Sequence, residues 1–190
     1  MRRLLAVVGA VTAPGRLNAA MATALESVAV RSDVSTSLLN LGDHRISFAD
    51  GRPLEQLADD SAKVVAQIAE ADAVLLASPV YRASFTGALK NLLDLTPVEA
   101  LRDKPVGIVA MGATLHHYLG VDSHLRAVLA WFGALVAPTS VYLDSSHFKE
   151  GKLADDGARA ALAELVTTLL DLAVSVKRPL GPTPLAAIRR

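Results

Sequence analysis

Short apolar runs alternate along this chain with longer segments in which apolar residues recur every three or four positions. Five runs are predicted as strands, at residues 4–8, 34–41, 73–77, 106–111 and 135–143. Continuous apolar runs are typical of parallel strands covered on both faces, because neither face meets water. Pro138, within the fifth run, predicts a bulge or an edge position there.

The segments between these runs predict helices. Residues 18–30 are rich in alanine, a strong helix former. Four other segments carry apolar residues at helical spacing, so that each forms an apolar stripe along one helix face. These residues are Leu57, Val64, Val65 and Ile68; Phe85, Leu89, Leu92 and Leu93; Leu125, Val128, Leu129 and Phe132; and Leu162, Leu165, Val166, Leu169 and Leu172. Five strands alternating with five helices predict an α/β fold, a parallel sheet with helices on both faces.

The organisation along the chain predicts one domain over residues 1–177. Residues 178–190 carry three prolines and no helical pattern, so we expect an extended tail. Arg2 and Arg3 before an apolar run resemble a short signal peptide, with residues 11–13 as a cleavage site. We favour a first strand, because no later segment supplies one.

Charge and composition exclude several classes of function. Lys plus Arg (19) equals Asp plus Glu (19), whereas nucleic-acid binding usually needs a basic excess, so no nucleic-acid partner is expected. The chain has no cysteine, which excludes disulfides, thiolate catalysis and thiolate metal sites. No apolar run is long enough to span a bilayer, and we expect a cytoplasmic protein without membrane association.

Ligands in parallel α/β sheets bind beyond the carboxyl ends of the strands, so the loops after strands one, three and four are the candidates. The first loop leads into a helix N-terminus, where free N–H groups favour an anion. Thr12 and Asn18 add neutral donors to it, and Arg16 adds a charged one. The alternative is an ordinary β–α turn in which Asn18 caps the helix.

The third loop presents Pro79, Val80, Tyr81 and Arg82, which together form a wall suited to a planar ligand. Here the alternatives are a turn capped by Ser84 and a tyrosine buried in the core.

In the fourth loop, the N–H groups of the small residues Gly112 and Ala113 suit carbonyl oxygens of a ligand. Thr114 as a helix cap is the alternative. His117 and His124 share a helical face, but no carboxylate completes a metal set with them, so no metal is expected.

Residues 78–95, SPVYRASFTGALKNLLDL, resemble the signature of the NADPH-dependent FMN reductase family, close to "S/T-P-V-Y-x-x-x-[FY]-[ST]-G-x-L-K-x-x-x-D". Residues 111–126, which contain Met111-Gly112-Ala113-Thr114, His117 and Val121-Asp122, resemble a second segment of the alkanesulfonate-type two-component reductases. The similarity covers roughly residues 3–143. Two positions depart from the family's usual first loop, "G-S-x-R": Ala10 replaces the serine and Thr12 stands where the arginine is expected.

The resemblance implies a flavodoxin-like fold with strand order 2-1-3-4-5. It implies FMN phosphate in the first loop, the flavin ring on residues 79–82 and the polar ring edge toward residues 112–114. NADPH or NADH would then transfer hydride to flavin N5, and FMN would leave reduced to supply a partner monooxygenase. The implied cofactor-binding residues are Thr12, Arg16, Asn18, Pro79, Val80, Tyr81, Arg82, Gly112, Ala113, Thr114 and His117.

Hydride transfer is chemistry of the cofactors, so we assign binding roles and no catalytic side chain. Two alternatives stay open: a quinone, azo or metal-ion reductase that retains FMN, and a non-enzymatic flavin-binding electron carrier. We also expect a homodimer or homotetramer, because two helices carry apolar residues beyond one stripe. These residues are Leu92, Leu93 and Leu95 on one helix, and Leu119, Val121, Trp131 and Phe132 on the other.

Overall fold

The computed structural model describes residues 1–184 and contains one parallel sheet as its central layer. Its strands are β1 (Arg2–Val8), β2 (Val34–Asn40), β3 (Ala73–Pro79), β4 (Pro105–Met111), β5 (Leu135–Val136) and β6 (Val141–Leu143). The order is β2-β1-β3-β4, with β5 and β6 both pairing along the outer edge of β4. Every pairing in this sheet is parallel. The predicted flavodoxin-like α/β fold is therefore confirmed.

Six helices cover the two faces of the sheet. They are α1 (Arg16–Glu26), α2 (Ser61–Glu70), α3 (Gly87–Leu95), α4 (Val98–Leu101), α5 (Tyr118–Phe132) and α6 (Asp156–Ser175). Alternate residues of β1 separate two apolar cores: Leu4, Ala6 and Val8 pack with α1 and α6, whereas Leu5 and Val7 pack with the other four helices. This two-sided burial explains why the strands are continuous apolar runs.

Helix boundaries differ from the sequence prediction in three places. The first helix is residues 16–26 rather than 18–30. Leu57 is buried but precedes α2, and Phe85 precedes α3. The α3 helix begins later because the Thr86 side chain accepts a hydrogen bond from Leu89 N (3.1 Å), the usual capping arrangement. The alternative reading with Ser84 as the cap is therefore wrong.

The fifth strand is interrupted, and the prediction of one strand over residues 135–143 is wrong. Residues 137–140 separate β5 from β6, and Pro138 within this break has no N–H to donate to the sheet. Arg126 of α5 donates to the carbonyl oxygens of Ala137 (2.8 Å) and Pro138 (3.1 Å), which compensates for the lost ladder bonds.

Two further segments complete the described chain. A small antiparallel hairpin, β7 (Phe148–Lys149) and β8 (Lys152–Leu153), lies between β6 and α6 and was not predicted. Beyond α6, Leu180 N contacts Asp103 Oδ1 at 3.4 Å and Arg102 donates to the Thr183 hydroxyl at 3.3 Å. Residues 185–190 of the predicted tail lie outside the described residues. Within residues 1–184, no helix combines the length and apolar character that crossing a membrane requires.

Candidate functional site

The carboxyl ends of β1, β3 and β4 meet at one crevice, and hydrogen bonds join their loops. Gly9 N donates to Ala77 O (2.7 Å), which connects the end of β1 to β3. The buried Thr86 hydroxyl donates to the Gly9 carbonyl, so the start of α3 is also tied to the first loop. Val80 N donates to Met111 O (2.8 Å), which fixes the third loop against β4. The crevice therefore has walls whose relative position is set by the sheet.

The first loop is exposed and ends at the N-terminus of α1. Gly15 occupies the position before the helix, and its N–H donates to Asn18 Oδ1 at 3.2 Å. Asn18 is the third residue of α1 and bonds back to Gly15, so Gly15 is the cap residue and the alternative in which Asn18 caps the helix is wrong. Arg16 is exposed, with Cζ 5.9 Å from the centre of the Phe148 ring, within the range of a cation–π contact. The loop therefore offers a helix N-terminus and one guanidinium to an anion.

The third loop forms a tight hairpin at residues 81–84. Tyr81 N donates to Ser84 O (2.8 Å), and Ser84 N donates to Tyr81 O (3.1 Å). Arg82 (φ 52°) and Ala83 (φ 61°) both lie in the left-handed region, which glycine or asparagine usually occupies in such turns. Non-glycine residues there cost about 1–2 kcal/mol each. The side chain of Tyr81 is 55% exposed, so the alternative of a core tyrosine is wrong.

Helix α5 contacts this strained hairpin at two points. The Ser84 hydroxyl lies 2.9 Å from His124 Nδ1. Gly120 passes so close to Ala83 that a methyl group on Gly120 would overlap the Ala83 carbonyl oxygen. These two contacts hold the turn in a conformation that its own residues disfavour, a feature typical of functional loops.

The fourth loop is anchored by Tyr142 of β6. Gly112 N donates to Leu143 O (3.0 Å), and the Tyr142 hydroxyl donates to the carbonyl oxygen of Thr114 (2.5 Å). Tyr142 lies directly over Gly112, because a methyl group at that position would overlap its hydroxyl. Burial raises the pKa of Tyr142, so this hydroxyl keeps its proton to a higher pH than an exposed tyrosine does.

The predicted binding residues fall into three groups, one for each loop. Thr12, Arg16 and Asn18 share the first loop, whereas Pro79 and Val80 lie beside Gly112 at the ends of β3 and β4. Ala113, Thr114 and His117 are exposed between β4 and α5, and Tyr81 and Arg82 are exposed in the hairpin. Backbone bonds and Thr86, rather than the predicted side chains themselves, bring the three groups together.

Sequence reasoning missed four residues that shape the site: Thr86, Gly120, His124 and Tyr142. Thr86 could have been found, because a threonine before Gly87 at a helix start is a capping signal. Tyr142 lies 28 residues from the carbonyl that it holds, so no local pattern marks it.

A cavity of about 390 Å³ adjoins the first loop on the side of β2. Its lining is mostly apolar and comprises Val11, Leu41, His44, Ile46, Phe48, Gly87, Ala88 and Asn91. Asn91 fixes one wall, because its side chain accepts from Ala49 N (2.9 Å) and donates to Ser47 O (2.8 Å). Within residues 1–184, leaving aside the side chain of His116, no three His, Asp or Glu side chains are grouped so that they could hold a metal ion.

Several known proteins are similar to this chain in sequence. The model of the NADPH-dependent FMN reductase family matches residues 2–148. An NAD(P)H-dependent FAD/FMN reductase of Geobacillus thermodenitrificans is 37% identical over 154 residues, covering 80% of this chain and 83% of that protein. An NADH-dependent FMN reductase of Pseudomonas putida is 30% identical over 174 residues, covering 88% and 90%.

Among solved structures, an apo NADH:FMN oxidoreductase superposes with a TM-score of 0.78 at 24% identity, covering 100% of this chain and 97% of that one. That likeness concerns the fold, whereas the family match concerns the sequence over more than two thirds of the chain, including all three loops of the crevice. The chain belongs to the NADPH-dependent FMN reductase family.

Proposed function

We propose that this protein binds FMN in the crevice and reduces it with NADPH or NADH. The observation that carries the proposal is the arrangement of three strand-end loops around one crevice, with the start of helix α1 on one wall and a strained hairpin on another. The flavin would supply the hydride acceptor at N5, and the nicotinamide would supply the hydride. The family and the names of the relatives support the same reaction.

The chemistry of the donors fits a flavin mononucleotide. The N-terminus of α1 and the Arg16 guanidinium suit its phosphate, and Thr12 and Asn18 border the same loop. Backbone groups of Gly112 and Ala113 suit the polar edge of the ring, beside Thr114 and His117. Pro79, Val80, Tyr81 and Arg82 would form the surface under the ring, which leaves the opposite face open to nicotinamide.

We further propose that FMN is a substrate that dissociates after reduction and supplies a flavin-dependent monooxygenase. The first loop is exposed and poor in hydroxyl groups, and the oxygen of Asn18 is already bonded to Gly15 N. Both features favour weak retention of the phosphate.

The test is the dependence of NAD(P)H oxidation on added flavin. We expect a colourless purified protein that oxidises NADPH or NADH only when FMN is supplied. A yellow protein that passes electrons to quinones or azo dyes without added FMN would favour a resident cofactor. A yellow protein that does not oxidise NAD(P)H would favour an electron carrier.

Three properties of the whole protein belong to the same proposal. Residues 1–177 would form the reductase domain, with residues 178–190 as a tail. The protein would act as a homodimer or homotetramer. It would work in the cytoplasm, because its reductant would be NAD(P)H.

A further inference from the structure

Asn40, the last residue of β2, is a buried polar residue without a bonding partner. Its relative exposure is 5%, and neither Oδ1 nor Nδ2 makes a hydrogen bond with any part of the chain that the structure describes. Most buried side-chain polar atoms in proteins have a partner, because water is lost on burial and must be replaced. Both ends of this buried amide are therefore available to backbone groups that approach the end of β2.

The sheet register locates this amide. Asn40 pairs with Val8, the last residue of β1, and the neighbouring pair is Leu39 with Val7. Leu39 and Val7 pack in the core formed with α2 and α3, whereas Val8 packs with α1. Because side chains alternate along a strand, Asn40 lies on the face that α1 covers, where β1 passes into the first loop.

The turn after Asn40 touches that loop directly. A methyl group on Gly42 would lie 3.0 Å from the Thr12 carbonyl oxygen and 3.1–3.2 Å from the carbonyl group of Val11. The two segments are therefore in backbone contact, and the loop itself is exposed from Val11 to Arg16. A small closing movement of this loop would bring further backbone groups toward the end of β2.

We propose that Asn40 is a positioning residue for the phosphate-binding loop. This inference rests on the proposed function, in which the first loop holds the FMN phosphate. When the phosphate is bound, the backbone of residues 10–15 closes toward β2, and the Asn40 amide donates to a loop carbonyl and accepts from a loop N–H. Because the amide is unpaired in the flavin-free chain, these bonds are gained on binding and increase the affinity for FMN.

The experiment measures the dissociation constants of FMN and riboflavin, which lacks the phosphate, together with thermal melts of the flavin-free protein. Asn40→Val removes both bonding groups, and we expect FMN to bind roughly tenfold more weakly, the loss of about one or two hydrogen bonds. Riboflavin affinity should change less than about twofold on the same reasoning. The melting temperature should stay the same or rise, because an unpaired buried amide has been replaced by an apolar group.

Two further variants complete the design. Asn40→Asp has nearly the same shape but lacks the donor and adds a negative charge, so it should also weaken FMN selectively. Thr36→Val replaces a polar residue by valine at an exposed position four residues earlier on the same strand face, and it should change the affinity for neither FMN nor riboflavin.

Equal weakening of FMN and riboflavin, or unchanged FMN affinity in folded Asn40→Val and Asn40→Asp, would overturn the role of Asn40 alone. Wild-type protein that binds FMN and riboflavin equally would overturn the phosphate site of the proposed function, and this inference with it.

Discussion

A substitution at Tyr81 should affect flavin binding without affecting stability, because Tyr81 lies in the hairpin and is 55% exposed. Tyr81→Ala should change the free energy of unfolding by no more than about 0.5 kcal/mol, as for most surface substitutions. Truncating a buried aromatic would instead cost about 3–5 kcal/mol. We expect FMN affinity or turnover to fall several-fold, measured by titration and steady-state rates.

The matched control for this variant is Trp131→Ala, since Trp131 is also an exposed aromatic (64%) but lies at the far end of α5. It should leave FMN affinity unchanged. Equal flavin affinity in Tyr81→Ala and wild type would remove Tyr81 from the site.

Site residues are predictable from the sequence where the features that mark them lie close together along the chain. The residues of the third loop were identified from a strand end, a proline and a family signature, all of which lie within a few positions of each other. Asn40 and Tyr142 were missed because their importance comes from contacts between strands. The 28 residues between Tyr142 and Thr114 give no periodic signal that links the two.

The contact between helix α5 and the hairpin of residues 81–84 predicts how a change in one element affects flavin binding at another. A methyl group at Gly120 would overlap the Ala83 carbonyl oxygen, so Gly120→Ala should displace the hairpin. Within a helix, Gly→Ala otherwise stabilises by up to about 1 kcal/mol. We expect FMN affinity and turnover to fall about tenfold, because a misplacement of about 1 Å in a positioned site has effects of this order or larger.

Gly87→Ala is the matched substitution, because Gly87 begins α3 and has open space where a methyl group would stand. It should bind and reduce FMN as the wild type does. Normal flavin kinetics in Gly120→Ala would show that α5 does not fix the hairpin.

A second prediction concerns the junction of α2 and β4. Lys104 is buried, and its Nζ donates to the carbonyl oxygens of Ile68 (2.6 Å) and Ala69 (2.9 Å), near the end of α2. Burial, and to a lesser degree the charge of Arg178, lowers the pKa of Lys104 from 10.5 to about 8. Between these two values the unfolded chain binds more protons than the folded chain, so the contribution of Lys104 to stability rises with pH.

Denaturant unfolding of wild type and Lys104→Met across this pH range measures the effect. The difference in unfolding free energy, wild type minus variant, should increase from pH 8 to pH 10.5 and be constant only well below pH 8, where the lysine is protonated in both states. A difference that does not vary with pH would show that the lysine is not perturbed.

Strands are predictable from the sequence where an unbroken apolar run marks them. Strands β1, β3 and β4 are buried on both faces, so they appear as unbroken apolar runs. Boundaries were less accurate, because single residues decide them: Thr86 caps α3, which begins at Gly87, and Pro138 divides the fifth strand. Neither the short hairpin of β7 and β8 nor the contact of α5 with residues 81–84 has a periodic pattern.

At the scale of the whole molecule, alternation of strands and helices predicts a parallel sheet, whereas the order 2-1-3-4-5 came from the family resemblance. The expectation of an oligomer rested partly on residues that the fold buries internally. Leu92, Leu93, Val121 and Phe132 lie in the core of the chain itself. Leu119 and Trp131, with 52% and 64% of their surfaces exposed, still leave apolar surface on α5.

The prediction of a homodimer or homotetramer therefore rests on fewer apolar residues than the sequence alone suggested. Light scattering should give a mass that is two or four times 19.9 kDa at micromolar concentration. Leu119→Glu and Trp131→Glu should lower that mass if α5 forms the interface, because each places a charge in it. A mass of 19.9 kDa for the wild type would contradict the prediction.

We propose that the crevice at the ends of β1, β3 and β4 serves hydride transfer from NAD(P)H to an exchangeable FMN. The most direct test is to mix the protein without oxygen with excess FMN and NADPH or NADH, follow the flavin absorbance, and separate free from bound flavin by ultrafiltration. We expect catalytic bleaching of more FMN than protein, with the reduced flavin in the filtrate. Absence of bleaching with either nicotinamide would contradict the claim, and bleaching limited to one protein equivalent would contradict exchange.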